Sequence, residues 1–298
     1  MSLSKEKEQE YIREVRRNPF ALATIPEQTE LICLEAIKQN PNVLKFVRNQ
    51  TQSICLEAVR IKPVVLSDVK TQTKAICLEA IRKNGLMIKY VENQTEELCM
   101  EAVRRDCWAL QYIKNQTEEM CLEAVRQNGL CLGSVEIQTK RVQLVALQQT
   151  GFALQFIDSP TENQQLIAVK NKGLSLKYIK NPSSKVTLEA IKENPMVIEY
   201  VEKPTKEIML ESVKQNGLAI SQLKRQTKEA CRLSLIHNPE NIMYIPGPSK
   251  ELLAFKQSLC EYDKSLFESY RSVRANLVAG ILKSEHSPYH VLEHLYGY

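Results

Sequence analysis

The chain has 298 residues, 43% of them hydrophobic and 25% charged, and a net charge of +5. Those proportions exclude a disordered chain, and no run approaches the roughly 18 consecutive apolar residues that span a membrane. The polar start, MSLSKEKEQE, lacks the apolar stretch of a secretory signal, so the expectation is a soluble intracellular protein with no membrane contact.

One unit of 22 residues recurs without insertion or deletion, and it opens on Thr29, Thr51, Thr73, Thr95, Thr117, Thr139, Thr161, Ser183, Thr205, Thr227 and Ser249. A fixed period of about 20–50 residues is the signature of a stacked array, in which each repeat is one supersecondary unit. Residues 1–28 form a capping repeat: Val15, Pro19, Leu22 and Ile25 fit the frame, but Glu10 and Glu14 stand where later repeats are apolar. Residues 29–248 hold ten repeats, the last of them weakened by Arg232 at an apolar position and Leu233 at an acidic one.

Within a repeat, the opening hydroxyl is placed to cap a helix, and apolar residues follow with helical spacing, as in Cys121, Leu122 and Val125. The eighth position is small throughout, from Ala36 to Ser234, which implies close approach of neighbouring helices. An asparagine such as Asn84 or Asn128 then precedes glycine or proline, with Cys107 the one exception. Proline cannot take a positive φ, so this position begins a second helix rather than ending the first in a left-handed turn. That second helix is predicted over positions thirteen to twenty, with Leu or Ile at sixteen and a β-branched residue or Leu at nineteen. The expected fold is an all-α solenoid of two-helix repeats, closed by a helical C-terminal cap.

Residues 249–298 leave the frame, since Lys256 falls where alanine belongs. Leu252, Phe255 and Leu259 still share a helical face, and a longer amphipathic helix is predicted over Lys264–Lys283, with Phe267, Tyr270, Val273, Leu277 and Ile281 near one stripe. With the aromatic tail at Tyr296, this segment is either a cap on the last repeat or a docking and self-association element.

Chemistry-bearing residues divide into four groups. Cys33, Cys55, Cys77, Cys99, Cys121 and Cys231 all occupy the fifth position, too far apart along a stack for disulfides, and are expected to be buried free thiols. Acids at position seven (Glu35, Glu57, Glu79, Glu101) precede bases at position ten (Lys38, Arg60, Arg82, Arg104), so a track for phosphates would be largely self-neutralised. Aromatics at position eighteen, such as Phe46 and Tyr90, are expected to pack between repeats rather than stack on bases. His286, His290 and His294 lack a third-ligand pattern, and no phosphate loop or nucleophile motif is present, so neither metal, cofactor nor catalysis is expected. Two repeats break the charged row: Val145 and Ile167 replace the acid and Gln148 replaces a base. If position seven is open to solvent, these form an apolar patch suited to a protein partner, with repacking against Phe152 and Phe156 as the alternative.

The repeats TKAICLEAIRKNGLMIKYVENQ (Thr73–Gln94) and TEELCMEAVRRDCWALQYIKNQ (Thr95–Gln116) resemble an uncharacterised repeat family, of the pattern T-x-E-x-C-L-x-A-V-x-x-N-G, abundant in mimivirus-like giant viruses. The likeness runs from about Lys7 to Pro248. It implies a giant-virus protein acting in host cytoplasm or in the virion, and it supplies no activity or catalytic residue. The expected function is a non-enzymatic scaffold for protein–protein interaction, against an RNA- or DNA-binding solenoid or a self-assembling virion component. Self-assembly through the C-terminal segment predicts a light-scattering mass that rises with concentration and becomes monomeric on truncation at Ser249.

Overall fold

The computed structural model describes residues 3–261, which are helical with no strand among them. Each repeat supplies one α-helix and one 3₁₀ helix, as in Glu30–Gln39 with Pro41–Phe46, Lys74–Lys83 with Gly85–Tyr90, and Lys206–Gln215 with Gly217–Gln222. The protein is an all-α solenoid. It divides into two compact parts, Met1–Asn181 and Pro182–Tyr298; within each part α-helices lie against α-helices of the next repeat, and 3₁₀ helices against 3₁₀ helices.

Local sequence explains both helix starts. Thr29 Oγ1 accepts the Ile32 N–H at 3.4 Å, capping the α-helix, and donates its own proton to Glu8 of the preceding repeat at 2.6 Å. Asn84 Oδ1 accepts the Leu86 N–H at 2.9 Å and opens the second helix, as the sequence predicts. Among the described residues the one glycine with positive φ is Gly247, outside these starts.

The second helix differs from expectation in type and length: it is a six-residue 3₁₀ helix, Gly85–Tyr90, rather than an eight-residue element. A 3₁₀ helix has three residues per turn, so positions thirteen, sixteen and nineteen fall in one row. In the second repeat those are Pro41, Leu44 and Val47, all buried. Leu44 is fully buried, as are Ile32, Ala36 and Ile37 of the same repeat, and such a leucine contributes about 1.5–3 kcal/mol.

At seven corners consecutive repeats are bridged by a terminal glutamine. Gln28 Nε2 donates to Leu22 O (2.8 Å) in its own repeat and to Phe46 O (3.0 Å) in the next, while its Oε1 accepts the Arg48 N–H (2.9 Å). Gln72 repeats this with Leu66 O, Tyr90 O and the Glu92 N–H, and Gln116 with Leu110 O, Ser134 O and the Glu136 N–H. The thiol of the following repeat adds a weaker donor: Cys77 Sγ lies 3.8 Å from Gln72 Oε1 and Cys121 Sγ 3.6 Å from Gln116 Oε1.

The small residues mark the tightest approach. A Cβ on Gly151 would lie 2.2 Å from Ala168 O and 2.6 Å from Ser175 Oγ. At the N-terminal end, Glu10 and Glu14 are exposed on the helix Lys5–Arg17, capped by Ser4. Beyond the last repeat, Ser249 Oγ accepts the Leu252 N–H at 3.3 Å and a helix covers 250–261, with Leu252 buried. The helix expected over Lys264–Lys283 lies outside the described residues.

Ser175 is fully buried and its hydroxyl has no hydrogen-bond partner, whereas the same position in other repeats holds the fully buried Ala109, Ala153 and Ala219. An unpaired buried hydroxyl costs about 1–3 kcal/mol. Ser175→Ala is therefore expected to stabilise the protein by about 1 kcal/mol, seen as a higher urea midpoint at unchanged m-value.

Candidate interaction surface

The exposed side of the α-helices carries a column of leucines at position six, flanked by acids and bases. Leu34, Leu56, Leu78, Leu144 and Leu166 are half-buried. Between two helices they floor a groove of about 530 Å³, with Leu34 and Leu56 below and Lys38, Glu57 and Arg60 at the rim.

Position seven is half-buried rather than open, which corrects the premise drawn from its glutamates. The Glu35 side chain is 13% exposed and Glu101 23%. Glu35, Glu79, Glu101 and Glu189 are tied to bases, and for Glu35 and Glu79 the pairing crosses repeats. Arg16 Nε lies 2.8 Å from Glu35 Oε2 and Arg60 Nε 3.4 Å from Glu79 Oε1, both nineteen residues on; Lys38 and Lys192 pair within their own helices with Glu35 (3.1 Å) and Glu189 (3.3 Å). The sequence showed the pairing within a helix; the pairing between repeats is visible only once the register of neighbouring helices is known. Hydrogen bonds from Arg16 and then Lys38 hold the Glu35 carboxyl below the usual carboxylate range.

Val145 and Ile167 interrupt this lattice. Both are half-buried, beside the half-buried Leu144 and Leu166, and Gln148 is exposed. The nineteen-residue step that joins Arg16 to Glu35 leads from Arg126 to Val145 and from Gln148 to Ile167. Base and acid are lost together in the second pair, but in the first the exposed Arg126 remains and makes no ion pair among the described residues. Phe152 is half-buried and packs edge-on to Tyr178, ring centroids 6.4 Å apart, with Lys177 Nζ 5.6 Å from its centroid. Tyr270, Leu277 and Tyr296 lie outside the described residues, as do His286, His290 and His294.

The 3₁₀ side carries the aromatics. They meet between repeats edge-on, as Phe20 and Phe46 do at 6.3 Å, but they are not enclosed: Tyr112 and Trp108 are 38% and 40% exposed. Lysines cover several rings, with Lys45 Nζ 5.1 Å from the Phe46 centroid and Lys89 Nζ 4.7 Å from that of Tyr90.

The nine cysteines are free, and all but the half-buried Cys260 are buried. Burial pushes the Cys33 and Cys121 thiols up to about 11, so little nucleophilic thiolate forms near neutral pH. Among the described residues no cluster of His, Cys, Asp or Glu has metal-binding geometry, and no helix is long and apolar enough to cross a membrane.

A family model described as a domain of unknown function (DUF4116) matches residues 73–116 and, overlapping them, 95–138. The two matches are offset by one repeat and coincide with the repeats that carry the resemblance noted above. No curated protein and no solved structure matches the chain.

Because the folded Glu35 carboxyl is held below its unfolded value, its contribution is present above the unfolded pKa and is lost as pH falls through the folded one. Arg16 and Lys38 are more than half exposed, so solvent screens the pairs and the contribution is about 0.5–1 kcal/mol. Urea denaturation of Glu35→Gln is expected to show that deficit near neutral pH and none once the carboxyl is protonated in acid.

Proposed function

We propose that the protein is a non-enzymatic repeat scaffold that holds other proteins on the α-helical face around Arg126, Val145 and Ile167. The observation that supports this reading is the loss of the position-seven acid in two adjacent repeats. Arg16 with Glu35 and Arg60 with Glu79 form ion pairs between neighbouring repeats on that face; the equivalent of Arg126 with its acid is Arg126 with Val145, beside the half-buried apolar side chains Leu144, Leu166 and Ile167. The fitting partner is an apolar protein segment carrying one acid to meet Arg126, which would complete the lattice from outside. The resemblance to giant-virus repeats supports reading such a partner as a protein of an infected cell or virion.

Nucleic-acid binding is the second reading, favoured by the half-exposed aromatics that alternate with lysines on the 3₁₀ side. The ammonium groups over Phe46 and Tyr90 occupy ring faces that bases would need for stacking, which weighs against it. In either reading the surface is extended, as stacked repeats provide.

Val145→Glu combined with Ile167→Glu is expected to abolish capture of protein partners from the native cell, measured by affinity purification and mass spectrometry, with helicity and melting unchanged. Capture that survives the double variant rejects the assigned face. Partner binding is expected to fall little between 50 and 200 mM salt; a loss of about 10³-fold or more would favour phosphate contacts.

A further inference from the structure

The corner at Pro204 has the backbone of a glutamine corner without its glutamine. Four corners end in proline instead, at Pro160, Pro182, Pro204 and Pro248. At three of them the preceding residue turns to a positive φ, Ser159 at 51°, Asn181 at 53° and Gly247 at 60°, so the corner is rebuilt. Lys203 does not, and its corner keeps the local conformation seen before Gln50 and Gln72.

What the missing side chain leaves is a cavity of about 500 Å³, lined by Ile198, Val201, Pro204, Met209, Gln222 and Lys224. These stand at the positions that surround the bridging carboxamide elsewhere. Ile198 O corresponds to Leu22 O, Gln222 O to Phe46 O and the Lys224 N–H to the Arg48 N–H, the groups that Gln28 ties together. Ile198 O accepts only the Val201 N–H at 3.1 Å, and Gln222 O and the Lys224 N–H have no hydrogen bond among the described residues. The rim holds both signs of charge, Glu199, Glu202, Lys203 and Arg225, and so selects no ion.

We propose that this cavity is a socket for a primary carboxamide, the glutamine side chain of a peptide segment from a partner protein. A carboxamide supplies two N–H donors for Ile198 O and Gln222 O and one acceptor for the Lys224 N–H. The chain itself demonstrates the full match at five other corners, Gln28, Gln50, Gln72, Gln94 and Gln116, and the two carbonyl bonds alone at Gln138 and Gln226. A glutamate in the same place offers no donor and sets its carboxylate against two carbonyl oxygens. The volume falls in the range of about 300–1,000 Å³ typical of ligand sites and exceeds one carboxamide, which leaves space for the flanking peptide. That the ligand belongs to a protein rests on the function proposed above; the carboxamide chemistry does not.

The test is a titration of the full-length protein with acetyl-Ala-Gln-Ala-N-methylamide and its glutamate counterpart, following backbone amide shifts by NMR. The glutamine peptide is expected to shift the Lys224 amide with a Kd on the order of 1 mM, as befits a small ligand, and the glutamate peptide to bind at least about tenfold more weakly. Pro204→Gln is expected to abolish the shift and to raise the melting temperature by about 2–4 °C, because the chain then fills its own socket. Equal response to both peptides, no response in the wild type, or undiminished binding by Pro204→Gln would overturn the proposal. The Val145→Glu/Ile167→Glu variant keeps the socket, so loss of partner capture there and failure of peptide binding here are separate results.

Discussion

At seven corners a single carboxamide, that of the terminal glutamine, ties one repeat to the next. A 3₁₀ helix of six residues has poor hydrogen-bond geometry and no stability alone, and its last carbonyls and the N–H groups after it would otherwise be unpaired. Gln28, Gln50, Gln72, Gln94 and Gln116 each bond a carbonyl of their own repeat and a carbonyl and an N–H of the next. Gln138 and Gln226 bond the two carbonyls without the N–H, and each is followed by a corner whose proline comes after a positive φ, at Ser159 and Gly247. The apolar row beneath, Leu44 with Val47 and their equivalents, provides the free energy, and the glutamine fixes the register in which that row is buried.

The cysteines belong to the same arrangement. Each of Cys33, Cys55, Cys77, Cys99, Cys121 and Cys231 follows a corner glutamine by five residues. After Pro160, Pro182 and Pro204 the equivalent residue is Gln165, Thr187 or Met209. Where the carboxamide oxygen is present a donor reaches it from this position, the thiol of Cys55, Cys77, Cys121 or Cys231 or, after Gln138, the Gln143 Nε2, and the position changes character when the oxygen goes. Burial is therefore only part of the reason for cysteine at this position.

Much of the fold was legible in the order of residues because it is local. Thr29 and Asn84 cap helices that begin one residue later, and the exchange of Gly85 for Pro41 at one position already rules out a left-handed turn. The second helix was harder: over so few residues an α-helix and a 3₁₀ helix share the same apolar pattern. The spacing of Pro41, Leu44 and Val47 by threes was nonetheless present as a signal. The glutamine bridge was hidden for a different reason, since its partners are backbone atoms of another repeat, which no side-chain pattern names. Its trace is the coupling of Gln50 to Cys55 and of Pro204 to Met209. The candidate face was half legible: Val145 and Ile167 stood out as departures, but the register that aligns Arg126 with Val145 emerges only when Arg16 is seen to reach Glu35 across the repeat boundary.

The uniform corner also bears on how such a chain can change length. Between Thr29 and Gln116 every repeat offers the same bridging carboxamide to the repeat ahead, so a repeat gained or lost whole leaves matching corners at the scar. Recombination within that stretch preserves these bridges while sliding Val145 and Ile167 nearer to or farther from the N-terminal cap. A corner such as Ser159–Pro160 does not share this interchangeability, because its rebuilt backbone fits only the neighbours it has. Proline corners thus act as fixed landmarks, and the glutamine-cornered repeats between them as an adjustable ruler.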